Sequence, residues 1–215
     1  MFLKYKKRII TSSVLFFLIL LQFNYKIILV FSLINLSVLA IIEFLDITKK
    51  IFKNLFYFLI INIFFISYIS LFCLIFFILS KFLFSKILLF ILLFGCIASD
   101  IGGFVIGKLF GGPKLIKISP KKTVAGSMGS IFFTTIVMII FMKLYTQIQI
   151  LDIILLGFVT SLFCQLGDLF FSFLKRKAKL KDTGNFLPGH GGILDRLDGI
   201  LFGVPMGLII LLIFI

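Results

Sequence analysis

Seven apolar runs, each close to the length that crosses a bilayer, follow one another with short charged breaks: residues 9–23, 27–45, 55–79, 87–110, 124–143, 150–174 and 199–215. About 20 apolar residues in a helix span the roughly 30 Å hydrocarbon core at about 1.5 Å rise per residue. Inside that core each backbone N–H and C=O must be bonded within the protein, so runs of this length are expected to be helices. The run 55–79 would reach roughly 37 Å, and so tilts or extends into the interface. Apolar character is spread along the whole chain, with no leader ending in a small-residue cleavage site, so a secreted soluble product is not expected. The expected fold is all-α: a single polytopic helical membrane domain over residues 1–215 with about seven transmembrane helices. Residues 1–86 would form its N-terminal helices, and 87–215 the helices and cytoplasmic loops that hold the chemistry.

Positive residues near span ends favour the cytoplasmic side. Counted by alternate loops, one side collects all of the 22 Lys and Arg except Lys26, Lys81, Lys86 and Lys143. Moving the count by one span destroys that asymmetry, which supports a cytoplasmic N-terminus and an external C-terminus. The same topology, with attraction to anionic headgroups, accounts for the net charge of +14 without nucleic acid as a partner. Cys73, Cys96 and Cys164 all fall inside apolar spans, have no metal-ligand spacing and read as small core residues.

Acids are scarce enough to be read one by one: Glu43 and seven aspartates. Asp46 and Asp152 suit solvated structural roles. Asp100, Asp168, Asp182, Asp195 and Asp198 all project to the cytoplasmic half and are candidates for one cluster. Asp100 and Asp168 lie within spans, where a carboxylate costs about 2.5–3.5 kcal/mol on insertion scales and serves either a site or a lysine that ties helices together. Asp195 and Asp198 are three apart, which puts both on one helix face if the last span begins a little before residue 199. A divalent cation or helix N-terminal capping would offset two such anions. Oxygen ligands with no thiolate beside them favour Mg²⁺, which takes further ligands from water and substrate phosphates.

Around these acids, "KDTGNFLPGHGGILDRLDG" (residues 181–199) holds His190, the chain's one histidine, beside Gly191 and Gly192. Its glycines allow close approach of backbone to a ligand. Arg176 and Arg196 stand in or beside it, and arginine in a lysine-rich chain points to planar, multi-point contact with phosphate. His190 suits ligand contact, the other reading being a structural hydrogen bonder. In the preceding cytoplasmic loop, Ser119, Lys121, Lys122 and Thr123 stand just ahead of a helix start and form either an anion site or an interfacial anchor. The stretch "GGFVIGKL" (102–109) imitates a P-loop, but Leu109 replaces the metal-binding Ser/Thr and the segment lies in an apolar span. Gly199, Gly203 and Gly207 recur every four residues, a spacing for close packing either within the chain or across a homodimer.

With those residues in view, "SFLKRKAKLKDTGNFLPGHGGILDRLD" (172–198) resembles, over all 27 positions, the C-terminal motif of the phosphatidate cytidylyltransferases, or CDP-diacylglycerol synthases. "KKRIITSSVLFF" and "AIIEFLDI" are similar to that family's N-terminal spans. "SPKKTVAG" is similar to its Ser-Pro-Lys-Lys-Thr-Trp-Glu-Gly turn, with Val124 and Ala125 for Trp and Glu. "DIGGFVIGKLFG" is similar to its Asp-x-x-Ala-Tyr segment, with Gly103 and Phe104 substituted. The first half is shorter than is usual in that family, by a helix pair.

The resemblance implies transfer of the cytidylyl group of CTP to phosphatidate, giving CDP-diacylglycerol and pyrophosphate, at the cytoplasmic face of a prokaryotic inner membrane. It implies Mg²⁺ on Asp168 and Asp195, with Asp198 nearby and room for a second cation. Lys175, Arg176, His190 and Arg196 would border the phosphates. Ser172, Lys181, Asp182, Gly191 and Gly192 would line the substrates together with Asp100, and Ser119, Lys121, Lys122 and Thr123 would form a facing wall. A CTP-dependent lipid-alcohol kinase and a CDP-archaeol synthase use related chemistry on other lipids. A cation transporter would instead use Asp100 and Asp168 as a pathway.

Overall fold

The computed structural model describes residues 2–116, 119–184, 186 and 191–214. Among these, seven α-helices follow in order: α1 Phe2–Asn24, α2 Lys26–Ile51, α3 Leu55–Leu79, α4 Leu83–Phe110, α5 Val124–Tyr145, α6 Ile150–Lys177 and α7 Leu194–Phe214. All but α1 contain stretches long and apolar enough to cross a membrane, and α1 holds a shorter apolar stretch, Ser13–Asn24. The chain is a polytopic helical membrane protein. Helix α3 coincides with its apolar run, while the others extend past theirs at one end or both, since helical hydrogen bonding does not stop where apolarity does. A hairpin between α4 and α5 has no counterpart in the apolar pattern: β1 Lys114–Ile116 pairs antiparallel with β2 Ser119–Thr123, Lys114 opposite Thr123 and Ile116 opposite Ser119.

Two compact units emerge, and the segment 174–197 groups with the first 78 residues instead of with the helices that flank it in sequence. The first unit holds α1 to α3 up to residue 78, the end of α6 and the start of α7. Phe44 stacks on Phe65 at 3.7 Å between α2 and α3, and Thr48 Oγ1 donates to Asn62 Oδ1 at 3.1 Å. The C-terminus of α6 closes with Lys179 in the left-handed region (φ 57°). There Leu180 N donates to Lys175 O at 2.8 Å and Lys179 N to Arg176 O at 3.0 Å, the Schellman pattern with lysine where glycine is usual.

The second unit holds residues 79–173 and 198–215. With lipid outside the bundle there is little hydrophobic force between helices, so small residues that allow close approach matter most. Gly102 and Gly129 provide this for α4 and α5. Serines add bonds between helices: Ser130 Oγ of α5 donates to Ser99 O of α4 at 2.8 Å, and Ser99 and Ser161 of α6 share a hydroxyl contact at 3.0 Å. The glycines of α7 are used in the same way, Gly199 against Cys164, Gly203 against Cys96 and Cys164, and Gly207 against Leu92. That glycine face packs on this chain's own α4 and α6. The P-loop imitation is an unbroken part of α4.

A side chain at Gly129 has nowhere to go, because its Cβ would collide with Ile106 Cβ and stand 2.8 Å from Gly102 O. Neither is the far end of a flexible chain. Gly129→Val is therefore expected to cost about 2 kcal/mol by overpacking, read as a lower unfolding midpoint in detergent. A midpoint equal to the parent's would contradict the packing described.

Candidate functional site

In the first unit the polar residues converge on two carboxylates. Helix α7 begins at Leu194, five residues before its apolar run, so Asp195 and Asp198 lie three apart in one helix, which meets the condition set by their spacing. Lys175, in the last turn of α6, donates to Asp195 Oδ1 at 2.5 Å. Asp195 Oδ2 accepts from Thr183 N at 2.9 Å and Gly192 N at 3.1 Å, with Thr183 Oγ1, whose one hydrogen has a nearer acceptor, 3.1 Å away. Lys175 and Asp195 are largely buried, with side-chain exposures of 12% and 9%. The carboxylate is thus fixed in rotamer, oriented by the end of α6 and by the loop that leads to α7.

The second carboxylate is Glu43 of α2, 1% exposed. Its Oε1 accepts from Ile193 N at 2.9 Å, and its Oε2 accepts from Leu194 N at 2.8 Å and Thr183 Oγ1 at 2.6 Å. The start of a helix carries N–H groups with no partner in the helix itself, and Ile193 offers no side-chain acceptor. Glu43 supplies the acceptor from another helix, at the terminus where an anion is favoured. Gly184 and Gly192 make room for it, since a Cβ at either position would collide with its carboxylate.

The other expected residues of this unit surround that core. Arg176 is exposed and donates through Nη1 to Leu180 O at 3.3 Å. Lys181, Asp182 and Arg196 are exposed as well. Gly191 has φ 81°, and a Cβ there would stand 3.0 Å from Asp195 Oδ2. His190 lies outside the described residues.

In the second unit, Lys122 of β2 forms an ion pair with Asp168 of α6, and Ser172 Oγ lies one helical turn on, 3.4 Å from Asp168 Oδ1. Thr123 is the N-cap of α5, its Oγ1 accepting from Gly126 N at 3.0 Å. Ser119 is half-buried in β2, and the side chain of Lys121 lies outside the described part. Asp100 is exposed on α4, while Asp198 is buried and accepts from Gly199 N at 2.9 Å. Within the first unit Lys175 and Gly192 meet Asp195, and within the second Lys122 and Ser172 meet Asp168.

Each aspartate can be tested against a hard cation on its own. A carboxylate oxygen has about two acceptor positions. Asp195 Oδ2 is filled by the amides of Thr183 and Gly192, whereas among the described residues Oδ1 receives Lys175 alone and keeps one position. At Asp168, Lys122 engages Oδ2, and Oδ1 meets only the long Ser172 contact. No group of three or more His, Cys, Asp or Glu suited to a metal occurs among the described residues. This donor set suits Mg²⁺, which is commonly held by one or two carboxylates with water and substrate phosphates as the remaining ligands.

Glu43 and Thr183 are absent from the expected site. Glu43 carried a readable signal, as the one glutamate of the chain inside an apolar span, the criterion that singled out Asp100 and Asp168. Thr183 carried none, being a common residue in a polar loop.

The model of a family described as the cytidylyltransferase family matches residues 3–214. The phosphatidate cytidylyltransferase of Synechocystis sp. is 42% identical over 125 residues, which cover 57% of this chain and 42% of that protein. That of Bacillus subtilis is 46% identical over 111 residues, covering 50% and 41%. That of Mycobacterium leprae is 43% identical over 113 residues, covering 52% and 36%. The chain thus spans well under half the length of these curated relatives in the stretches it matches.

Proposed function

Because the chain belongs to the cytidylyltransferase family, we propose that it transfers the cytidylyl group of CTP to phosphatidate, forming CDP-diacylglycerol for phospholipid synthesis. The observation that carries this reading is the fixed Asp195 carboxylate with Lys175 beside it, at the junction of a basic helix end, a glycine loop and a helix start. That is an arrangement for handling polyphosphate where a membrane helix meets water. The active site would face the cytoplasm, where CTP is dissolved and where the basic loops are expected.

In this reaction a phosphate oxygen of phosphatidate attacks the α-phosphorus of CTP. The bond from that phosphorus to the oxygen bridging to the β-phosphorus breaks, and pyrophosphate leaves with the electron pair. The nucleophile is already anionic and needs no strong base, so catalysis rests on alignment and on neutralising charge. Lys175 and Arg176 at the end of α6, Arg196 in the first turn of α7 and Lys122 of β2 supply fixed positive charge. Thr183 and the amide of Gly192 hold Asp195 in orientation. Mg²⁺, when bound, would neutralise and align the CTP phosphates; Asp168 and Asp195 are each the candidate ligand that the family resemblance implies, with a second cation allowed. His190, Ser172 and the glycines of the loop would border the substrates, and lipid-facing apolar residues would accommodate the acyl chains.

The test supplies purified protein with phosphatidate, Mg²⁺ and CTP labelled in the cytosine or in the γ-phosphate. Cytosine label is expected in lipid and γ-label in pyrophosphate. If γ-label instead enters a lipid alcohol offered in parallel, the protein is a kinase. If neither label moves, the proposed reaction is wrong.

A further inference from the structure

We propose that Glu43 is a positioning residue for this reaction, acting through the start of α7 and through Thr183 to hold Asp195; the proposal rests on the reading above. Three observations converge on it. Glu43 is a buried carboxylate that comes from α2, 150 residues before the amide of Ile193 that it binds. Its two oxygens take the amides of Ile193 and Leu194, fixing the backbone immediately before Asp195. Thr183 Oγ1 stands 2.6 Å from Glu43 Oε2 and 3.1 Å from Asp195 Oδ2, so one hydroxyl touches both carboxylates.

The chemistry explains why glutamate is required at this position. Among the described residues, the polar groups bonded to Glu43 are all donors: two backbone N–H groups and a hydroxyl. A carboxylate accepts from all of them, whereas glutamine turns an NH₂ toward one side and sets donor against donor. Apolar helix packing has no use for such a group. An acid within an apolar run is costly unless it is fully bonded, and here it is bonded to a loop and helix start that carry Asp195. Among the described residues, none of the donors that Glu43 binds is an expected substrate residue, so its effect passes through the orientation of Asp195.

The experiment compares the parent with Glu43→Gln and Glu43→Asp, full-length in detergent, by two readouts. In hydrogen exchange followed by mass spectrometry, Glu43→Gln is expected to raise exchange of peptides covering 183–197 about tenfold or more, with peptides of α4 and α5 unchanged. In the transfer assay, Glu43→Gln is expected to raise the Mg²⁺ concentration for half-maximal rate about tenfold, with Glu43→Asp in between. A smaller folded fraction would lower the rate without moving that concentration.

Unchanged exchange at 183–197 overturns the tether. Raised exchange with an unmoved Mg²⁺ requirement overturns the positioning role and leaves a structural one. If Glu43→Gln does not fold, Glu43→Asp decides by the same two readouts. If the parent transfers no cytidylyl group, the proposed reaction fails, while exchange still shows whether Glu43 holds the segment.

Discussion

Asp195→Asn is expected to lower cytidylyl transfer by about 1000-fold, near 4 kcal/mol of transition-state stabilisation. Both ends of the carboxylate accept hydrogen bonds, Oδ1 from Lys175 and Oδ2 from Thr183 and Gly192. Asparagine has one acceptor end, so whichever way it turns, its NH₂ faces donors. The change also leaves the Lys175 ammonium without its counter-charge in a largely buried position, where breaking such a pair costs about 3–5 kcal/mol. Loss of activity and loss of stability therefore need separating. Lys175→Met with Asp195→Leu removes both charges, and a buried pair replaced by apolar side chains is often neutral in stability. That double variant removes the stranded charge but leaves the amides of Thr183 and Gly192 without their acceptor, at about 1–3 kcal/mol each, so it should melt below the parent and show no activity where it is still folded. An Asp195→Asn protein that turns over within tenfold of the parent would remove Asp195 from the machinery.

The second large effect is expected at Gly192, where a methyl group is enough. A Cβ there would collide with Thr183 Oγ1 and stand 2.6 Å from Glu43 Oε1. It would push apart the two groups that orient Asp195, while Gly192 N itself donates to Asp195 Oδ2. Gly192→Ala should lower transfer about 100-fold and stability by about 1–3 kcal/mol, measured by the labelled-CTP assay and by thermal unfolding in detergent. Retention of more than a tenth of parental activity would show that the loop yields without cost, and that the close packing around Glu43 is not needed for function.

These expectations depend on residues of unequal legibility. The helices were readable because bilayer thickness imposes a length and the backbone's need for internal hydrogen bonds imposes a conformation. Their exact limits were not, since Asp195 and Arg196 continue α7 upstream of any apolar signal. The β1–β2 hairpin escaped because a few polar residues in pairing register have no period that distinguishes them from a loop. Asp195 and Gly192 stood out by type and crowding within a short stretch, whereas Lys175 entered only through the family resemblance of residues 172–198. The bond between Glu43 and that stretch is a long-range contact, and nothing local to either segment announces it. For Asp168 the choice was between a lysine partner and a site. The ion pair with Lys122 shows the first and leaves Oδ1 available for the second.

The origin of Glu43 has a consequence for how the protein is made. During synthesis α2 reaches the membrane about 150 residues ahead of the amides that Glu43 will bind. Through that interval the growing chain carries an acid in an apolar helix whose final partners do not yet exist. The last loop and α7 therefore complete α2 as much as α2 completes them. Chains cut short before residue 193 should leave α2 with an unsatisfied carboxylate, poorly retained in the bilayer and exposed to quality-control proteolysis.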